Sequence, residues 1–270
     1  MLKNIIKFIY KKSIPISVSI ICIYSLYLRI VFLYRHTLWV DELLQLSRLK
    51  GTFFGLFKYI PGSYGYLSGD YYLIYPFFKF FSYNKWGLAI PHIIATIVGF
   101  YVLYLICKIY YKSIWAFFIT FGIVCFNATL IEHATEIRPY AVLPTLALAT
   151  FYLIKKIADL NFILNTPKKI GSIVFFILVI WFHAYGILMF CGLFLFTLLA
   201  KCEENDFKDC LKDAVFFAGT VLCLAMPLFL FSMFMPPDEV VHFYTFKYIP
   251  NPYHNMLVLL KGIFGTLIGI

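Results

Sequence analysis

The sequence predicts an all-α polytopic membrane protein, and three observations lead to that prediction. Hydrophobic residues make up 62% of the chain and charged residues only 13%, whereas soluble domains hold roughly half and a quarter. Aromatic residues reach 21%, which suits bilayer interiors and interfacial belts. Several apolar runs are longer than the roughly 20 residues that a helix needs to cross a bilayer. A single soluble core would not require so apolar a chain.

Apolar runs bounded by polar segments predict seven to eight transmembrane helices in a single domain over residues 1–270. Residues 171–200 are too long for one ordinary span, and WFHAYG interrupts them with His183 and Gly186, so we predict two short spans there. An eighth apolar segment ends at the last residue without a polar flank, so we expect a C-terminally truncated sequence. The other predicted spans lie at about 13–33, 88–109, 113–131, 141–154 and 214–235.

Basic residues set the predicted orientation of these spans. Lysines precede the first span and follow the second, fourth and sixth, which by the positive-inside bias places the N-terminus in the cytoplasm. The first apolar run is too long for a signal peptide and lacks a small-residue cleavage site, so we expect it to remain as an anchor. We therefore expect a multi-pass protein of the plasma or inner membrane. No phosphate loop, zinc spacing or basic–aromatic module occurs, so the net charge of +10 does not imply a nucleic-acid partner.

The first external loop, about 34–87, holds the most informative charges. Asp41 and Glu42 follow the first span directly. After them, LLQLSRLKGTFFGLFKYI (43–60) carries apolar residues at three-to-four spacing, which predicts one amphipathic helix in the membrane interface. The later segment DYYLIYPFFKFF is apolar but too short to span. A loop that returns repeatedly to the membrane surface predicts a site whose substrate is itself a lipid.

Three segments of the chain resemble the GT-C fold of membrane glycosyltransferases. They are LWVDE after the first span, DYYLIYPFFKF later in the first loop and HATEIRPYAV after the third span. They are most similar to the polyprenyl-phosphate-sugar-dependent members, a family-39-like group that includes protein O-mannosyltransferases, the lipid A aminoarabinose transferase and lipopolysaccharide galacturonosyl transferases. The resemblance implies a GT-C-like bundle. It also implies transfer of a sugar from a polyprenyl-phosphate donor to a lipid, glycan or protein of the cell envelope, on the external face.

The resemblance assigns the acid pair to catalysis. The residue that matches Asp41 takes the acceptor's proton in relatives, which is the work of a general base, and an inverting displacement needs only one such carboxylate. Glu42 would hold or orient the acceptor. The alternative from the residues alone is that one or both carboxylates cap the following helix, because a helix N-terminus favours negative charge.

The donor phosphate in such a reaction needs a cation, because negative charge grows on the leaving group. Arg138 in the segment EIRPY is the candidate ligand, since its planar fork suits phosphate oxygens. Glu136 would orient the guanidinium, and Tyr140 completes the predicted phosphate-binding set. The alternative is a Glu136–Arg138 surface pair in which the arginine reaches towards lipid head groups.

Asp70 and His183 are candidate ligands of a divalent metal. Both fall at external breaks in apolar sequence, and a carboxylate with an imidazole can hold such an ion. The alternative is that His183 satisfies backbone groups at a helix break. No nucleotide cofactor is expected. The loop at 236–254, which follows the seventh span, is predicted to be a lid over the lipid carrier.

Two other classes of function remain open from the sequence. A transporter or flippase of lipid-linked sugars would also be polytopic, but it should show charged residues within its spans and repeated halves. No internal repeat is found in this sequence. A protein similar to O-antigen polymerases, or a non-catalytic scaffold, is the other alternative.

Overall fold

The computed structural model describes residues 2–59, 69–183, 185–202 and 207–234, and in these ranges the chain forms helices without any β-strand. Within these ranges, two short 3-10 helices accompany ten α-helices. The α-helices are α1 (Leu2–Arg35), α2 (Val40–Arg48), α3 (Gly69–Phe81), α4 (Lys85–Tyr110), α5 (Ile114–Phe126), α6 (Ala128–His133), α7 (Leu143–Ala158), α8 (Thr166–Phe182), α9 (Tyr185–Cys202) and α10 (Phe207–Phe234).

Contacts divide the chain into two compact units. The first unit is Met1–Leu46 with Pro76–Tyr152, and the second is Ser47–Tyr75 with Leu153–Ile270. The chain breaks of this division fall inside α2, α3 and α7. Each unit is described below by its own contacts.

Among the described residues, two helical stretches are long and apolar enough to cross a membrane, namely Ile14–Arg35 of α1 and Lys85–Tyr110, which is α4. They confirm the helices that the sequence predicts at about 13–33 and 88–109. The apolar helices Ile114–Phe126 and Tyr185–Lys201 are shorter. The larger number of seven to eight spans stays a prediction, and the eighth segment and the loop at 236–254 lie outside the described residues.

Apolar side chains form exposed stripes on two helices of the first unit. On α1 the stripe recurs every three to four residues, and on α5 every four, so each stripe occupies one face of its helix. An exposed apolar face of this kind is the surface expected of a helix in contact with lipid. The stripes consist of Ile16, Ile20, Ile23 and Tyr27 on α1, and of Trp115, Ile119 and Ile123 on α5.

The prediction of one continuous third span at 113–131 is wrong, because the helix stops at Phe126 and a new one starts after Asn127. The Asn127 side chain accepts a hydrogen bond from Leu130 N at 3.0 Å. A short polar side chain that satisfies the first free N–H groups of a helix fixes the start of that helix. Asn127 therefore ends α5 and begins the short α6.

The prediction of one amphipathic helix over 43–60 is also wrong. The helix α2 already begins at Val40 and ends at Arg48, and a turn at Gly51 separates it from the 3-10 helix Phe54–Tyr59. The apolar spacing of this stretch therefore continues across a break that the pattern alone does not reveal. The segment DYYLIYPFFKFF lies within the 13-residue helix α3, as expected for a piece too short to span.

The first unit packs its helices around small and aromatic residues. Phe100, Phe117 and Phe121 form the centre of a buried cluster between α4 and α5, and residues of α1 pack against it. At the contact of α4 with α7, Thr145 Oγ1 donates to Ala95 O at 2.8 Å, and Gly99 leaves room for the Thr145 side chain. Such small-residue contacts allow close helix approach where water does not drive association.

The second unit has an aromatic core made by α8, α9 and α10. The Phe176 ring lies 5.0 Å from that of Phe190 and 5.9 Å from that of Phe217, centroid to centroid, and all three side chains are buried. The predicted break near His183 is confirmed, because α8 ends at Phe182 and α9 begins at Tyr185. A Cβ on Gly186 would lie 2.8 Å from Ile180 Cα, so only glycine allows α9 to fold back this closely.

Candidate functional site

Polar groups gather where α1 ends and α4 begins in the first unit. The Lys85 Nζ donates to Tyr34 O at 2.9 Å and to His36 O at 2.8 Å. Carbonyl groups near the C-terminus of a helix lack intrahelical partners and favour a cation. Lys85 therefore fixes the end of the first candidate span to the start of the second, so that the segments flanking both spans lie together.

Glu42 is the most connected carboxylate at this end of the first unit. Its side chain is 1% exposed. One oxygen, Oε2, accepts from Trp39 N at 2.7 Å and lies 2.9 Å from His36 Nε2. A glutamate at the third position of a helix that bonds back to the preceding backbone N–H forms half of a capping box. Glu42 therefore caps α2, which is the structural alternative that the sequence left open for it.

The second oxygen of Glu42 joins two distant segments of the chain. Ile137 N donates to Glu42 Oε1 at 2.6 Å, across 95 residues of sequence. The neighbour of Glu42 is Asp41 and the neighbour of Ile137 is Arg138, so this bond brings the predicted base and the predicted phosphate ligand into one region. Glu42 is buried, and both of its oxygens are bonded to protein groups. Its predicted role in holding the acceptor stays a prediction.

Asp41 occupies the second position of α2, and its side chain lies outside the described part of the structure. The backbone position alone places it in the first turn of a helix, next to the buried Glu42. The first turn of a helix favours a carboxylate. Its assignment as general base stays a prediction.

The segment after α6 holds the other predicted residues of the site. The Glu136 Oε1 lies 3.1 Å from His133 Nδ1, so Glu136 has a partner other than the one that the sequence predicted. The Arg138 guanidinium carbon lies 5.1 Å from the centroid of the Tyr140 ring, and the rings of His133 and Tyr140 are 5.8 Å apart. Stacking on an aromatic face orients a guanidinium, so Tyr140 positions Arg138. Binding of a donor phosphate by this set stays a prediction.

Asp70 and His183 are both buried in the second unit, at 0% and 6% exposure. Gly69 approaches Phe182 closely, since a Cβ on Gly69 would lie 3.0 Å from Phe182 Cα. Asp70 follows Gly69 in the chain and His183 follows Phe182, so Asp70 and His183 lie in the same region of the second unit. No group of three or more His, Cys, Asp or Glu side chains among the described residues is placed to hold a metal ion.

The hydrogen bond of His183 argues against a metal at its ring. Tyr185 N donates to His183 Nδ1 at 3.2 Å, so Nδ1 serves as an acceptor at the start of α9. In a neutral imidazole with an accepting Nδ1, the proton is on Nε2, and a protonated nitrogen does not ligate a metal. This arrangement is the backbone-capping alternative for His183, and the metal site stays a prediction.

An aromatic group in the second unit surrounds the turn after α2. The Arg48 Nη1 donates to Tyr71 Oη at 2.7 Å. The Phe53 ring meets Tyr72 at 5.1 Å and Tyr75 at 5.5 Å between centroids, in both cases edge to face. Burial raises the pKa of Tyr72 to about 12, so its hydroxyl group remains protonated at neutral pH. These contacts order the part of the first loop that the structure describes.

Sequence reasoning gave no role to Arg29, His36 or Lys85. The signal for Arg29 was available, because an arginine inside an apolar span is costly and is a functional candidate by default. His36 and Lys85 had no comparable signal, since their partners are a distant carboxylate and two backbone carbonyl groups.

In the part of the chain that the structure describes, the protein is helical, with two helices suited to crossing a membrane and a polar cluster at one end of the first unit. No protein-family model, no curated protein and no solved structure matches this chain. The assignment of a function therefore depends on the chemistry of the residues and is made as a proposal.

Proposed function

We propose that the protein is a membrane glycosyltransferase with a GT-C-like bundle, which moves a sugar from a polyprenyl-phosphate donor to an acceptor of the cell envelope on the external face. The observation that supports the proposal most is the hydrogen bond between Glu42 Oε1 and Ile137 N. It brings the Asp41–Glu42 pair next to the Arg138 segment. Those are the two groups that this reaction needs close together.

In the proposed reaction Asp41 takes the proton of the acceptor's hydroxyl or amine group as that group attacks the anomeric carbon. The new bond forms at this carbon while the bond to the phosphate oxygen breaks, and the phosphate leaves with the electron pair. A single displacement of this kind inverts the configuration. Asp41 supplies general-base catalysis, and Arg138 compensates the negative charge that grows on the leaving phosphate.

The described contacts assign supporting work to the other residues. Glu42 caps α2 and bonds Ile137 N, so it sets the distance between the base and the Arg138 segment. Tyr140 presents a ring face to the Arg138 guanidinium. A catalytic group must be held within a fraction of an ångström of its productive position. The buried Glu42 and the half-buried Tyr140 would provide that support.

One observation favours a second function, a flippase for lipid-linked sugars. Arg29 is a buried cation within a candidate span, and intramembrane charges frequently mark transport pathways. A flippase moves its lipid unchanged from one leaflet to the other, whereas the proposed enzyme breaks the bond between sugar and phosphate. The two functions therefore differ in whether the donor is consumed.

The test is incubation of membranes that contain the full chain with labelled polyprenyl-phosphate sugars, followed by mass spectrometry of donor and products. Transfer predicts loss of the sugar from the lipid and appearance of the label in an acceptor. Membranes from cells without the protein serve as the control. Intact donor that has changed leaflets would support the flippase, and an unchanged donor in its original leaflet would contradict both functions.

A further inference from the structure

Arg29 lies inside the candidate span Ile14–Arg35 and is 3% exposed. Its Nη1 donates to Ser25 O and to Cys125 O at 3.1 Å each, and it also bonds Ser25 Oγ. Its guanidinium carbon lies 5.1 Å from the centroid of the Phe100 ring. These partners anchor the side chain to α5 and α4 within the first unit, and all of them are formally neutral.

The charge of Arg29 is therefore not compensated by the part of the protein that the structure describes. No salt bridge joins Arg29 to a carboxylate among the described residues. Its Nε is buried and has no hydrogen-bond partner. A buried N–H without a partner is costly, and a buried charge without a counter-ion is more so. The arginine is thus held in place by one nitrogen, while the Nε edge of its fork is unused.

Arg29 lines a pocket formed by α1, α4, α5, α6 and α7 of the first unit. The free space of this pocket is about 400 Å³ including its open mouth, and the centre of a water molecule can occupy about 40 Å³ of it. That is room for a small head group but not for a whole lipid. Besides Arg29, the side chains with polar atoms in its lining are Thr96, Thr145 and Tyr140, and the remainder is apolar.

We propose that this pocket binds a phosphate oxyanion through the guanidinium of Arg29. The guanidinium fork matches phosphate oxygens and makes short, charge-assisted hydrogen bonds with them. Such a ligand supplies the counter-charge that Arg29 lacks among the described residues. The phosphate group of a lipid and free phosphate present the same oxyanion to Arg29, so both are candidate ligands of the pocket.

The site is distinct from the phosphate ligand of the proposed reaction, but the two share one residue. Tyr140 lines the Arg29 pocket and also stacks on Arg138. If the proposed function holds, Arg138 binds the carrier phosphate and the Arg29 pocket would hold the phosphate of a second molecule beside it. Binding at Arg29 itself does not require any sugar transfer, so it is tested without a donor sugar.

The test is isothermal titration calorimetry of the purified full chain in neutral detergent. The probes are dodecyl phosphate, inorganic phosphate and, as the uncharged control, dodecanol. We expect saturable binding of dodecyl phosphate to the wild type. Binding to Arg29→Gln should be at least about tenfold weaker, because the variant loses one or two charge-assisted hydrogen bonds. Arg35→Gln is the matched control, since Arg35 belongs to the same helix but is exposed, and its binding should equal that of the wild type.

A second variant guards against misfolding of Arg29→Gln. Val124→Phe adds volume to the pocket lining and keeps Arg29 with its anchoring bonds. It should also weaken dodecyl phosphate binding. Its thermal unfolding midpoint, and that of Arg29→Gln, are compared with the wild type to separate a lost site from a lost fold.

If inorganic phosphate binds as tightly as dodecyl phosphate, and binding depends on Arg29, the pocket is an oxyanion site and its ligand is free phosphate. Wild-type affinity in Arg29→Gln, or dodecanol binding as tight as dodecyl phosphate, would overturn the site. Arg29-dependent binding without any sugar transfer would contradict the proposed function alone, and transfer without such binding would contradict the pocket alone.

Discussion

The helices of the first unit and the helices α8–α10 of the second unit both pack around buried aromatic rings, but the first unit also has charged side chains that bond across its helices. In the first unit, buried polar side chains cross between helices: Arg29 bonds Cys125 O, and Glu42 bonds Ile137 N. In the second unit, the rings of Phe176, Phe190 and Phe217 fill the contact. Both arrangements bury their central groups almost completely.

The difference identifies where chemistry can occur. Aromatic packing tolerates apolar substitutions that conserve volume, and its side chains carry no net charge. A buried carboxylate or guanidinium costs free energy and fixes neighbouring groups through directional bonds. In the proposed function, the buried polar groups of the first unit would be the preorganised groups that an active site needs, and α8–α10 would serve as packing.

The largest effect on folding is expected from Glu42→Ala. The change leaves Trp39 N, Ile137 N and His36 Nε2 without their acceptor inside the protein. Loss of one partner of a buried charged network costs about 3–5 kcal/mol, and the free energy of unfolding in detergent measures it. Glu132→Ala is the matched control, because that side chain is exposed and should change the value by less than about 0.5 kcal/mol. A Glu42→Ala protein as stable as this control would show that the bonds of Glu42 do not stabilise the first unit.

Phe176→Ala should cost about 3 kcal/mol of unfolding free energy, since it empties the centre of the aromatic core. Unlike Glu42→Ala, it should leave the ligand affinities of the first unit unchanged. The control is Leu178→Ala, whose side chain is 56% exposed. A Phe176→Ala variant that loses sugar transfer while remaining folded would show that the contrast between the two units is mistaken.

Arg138→Lys should lower the proposed transfer rate by about tenfold or more, because lysine keeps the charge but lacks the bidentate fork and the ring stacking. The rate of label transfer from the polyprenyl-phosphate donor measures the effect. Arg35→Lys, at the exposed end of α1, is the control. Wild-type transfer in Arg138→Lys would return Arg138 to the surface alternative.

The smallest effect is expected at His183. Because Nδ1 accepts from Tyr185 N, His183→Ala should cost about 1 kcal/mol, as does the loss of a helix cap. His183→Asn keeps an acceptor and should cost less. A chelator should leave the unfolding midpoint of the wild type unchanged. A chelator effect present in the wild type and absent in His183→Ala would place a metal at this residue after all.

The sequence predicted the helices that are long and uniformly apolar, because length and composition determine them. The helices predicted at 13–33 and 88–109 belong to this group. The break at His183 was also predicted, because a polar segment interrupts an apolar run that is too long for one span. The sequence-based prediction failed at Asn127, where one residue decides whether an apolar pattern continues as helix, and at residues 49–51, where the chain turns within an apolar pattern. An asparagine can lie inside a helix or cap the next one, and the hydrophobic period is the same in both cases.

The two segments that Glu42 joins were predicted only as separate candidates. The Asp41–Glu42 pair and the EIRPY segment were chosen separately, and the structure joins them by the Glu42–Ile137 bond. The partner of Glu42 could not be predicted, since a backbone N–H has no sequence signature and lies 95 residues away. Arg29 could have been selected as a lone charge in a span, but its missing partner is visible only in three dimensions.

In the proposed reaction the two neighbouring acids have different roles, because Asp41 acts as the general base and Glu42 holds it in position. The most direct measurement is the transfer rate from a labelled polyprenyl-phosphate sugar in Asp41→Asn, since asparagine is nearly isosteric and caps helices well but cannot accept the proton. We predict a fall of about 10²- to 10⁴-fold with an unchanged unfolding midpoint and unchanged donor binding. Transfer at the wild-type rate in Asp41→Asn would contradict the account.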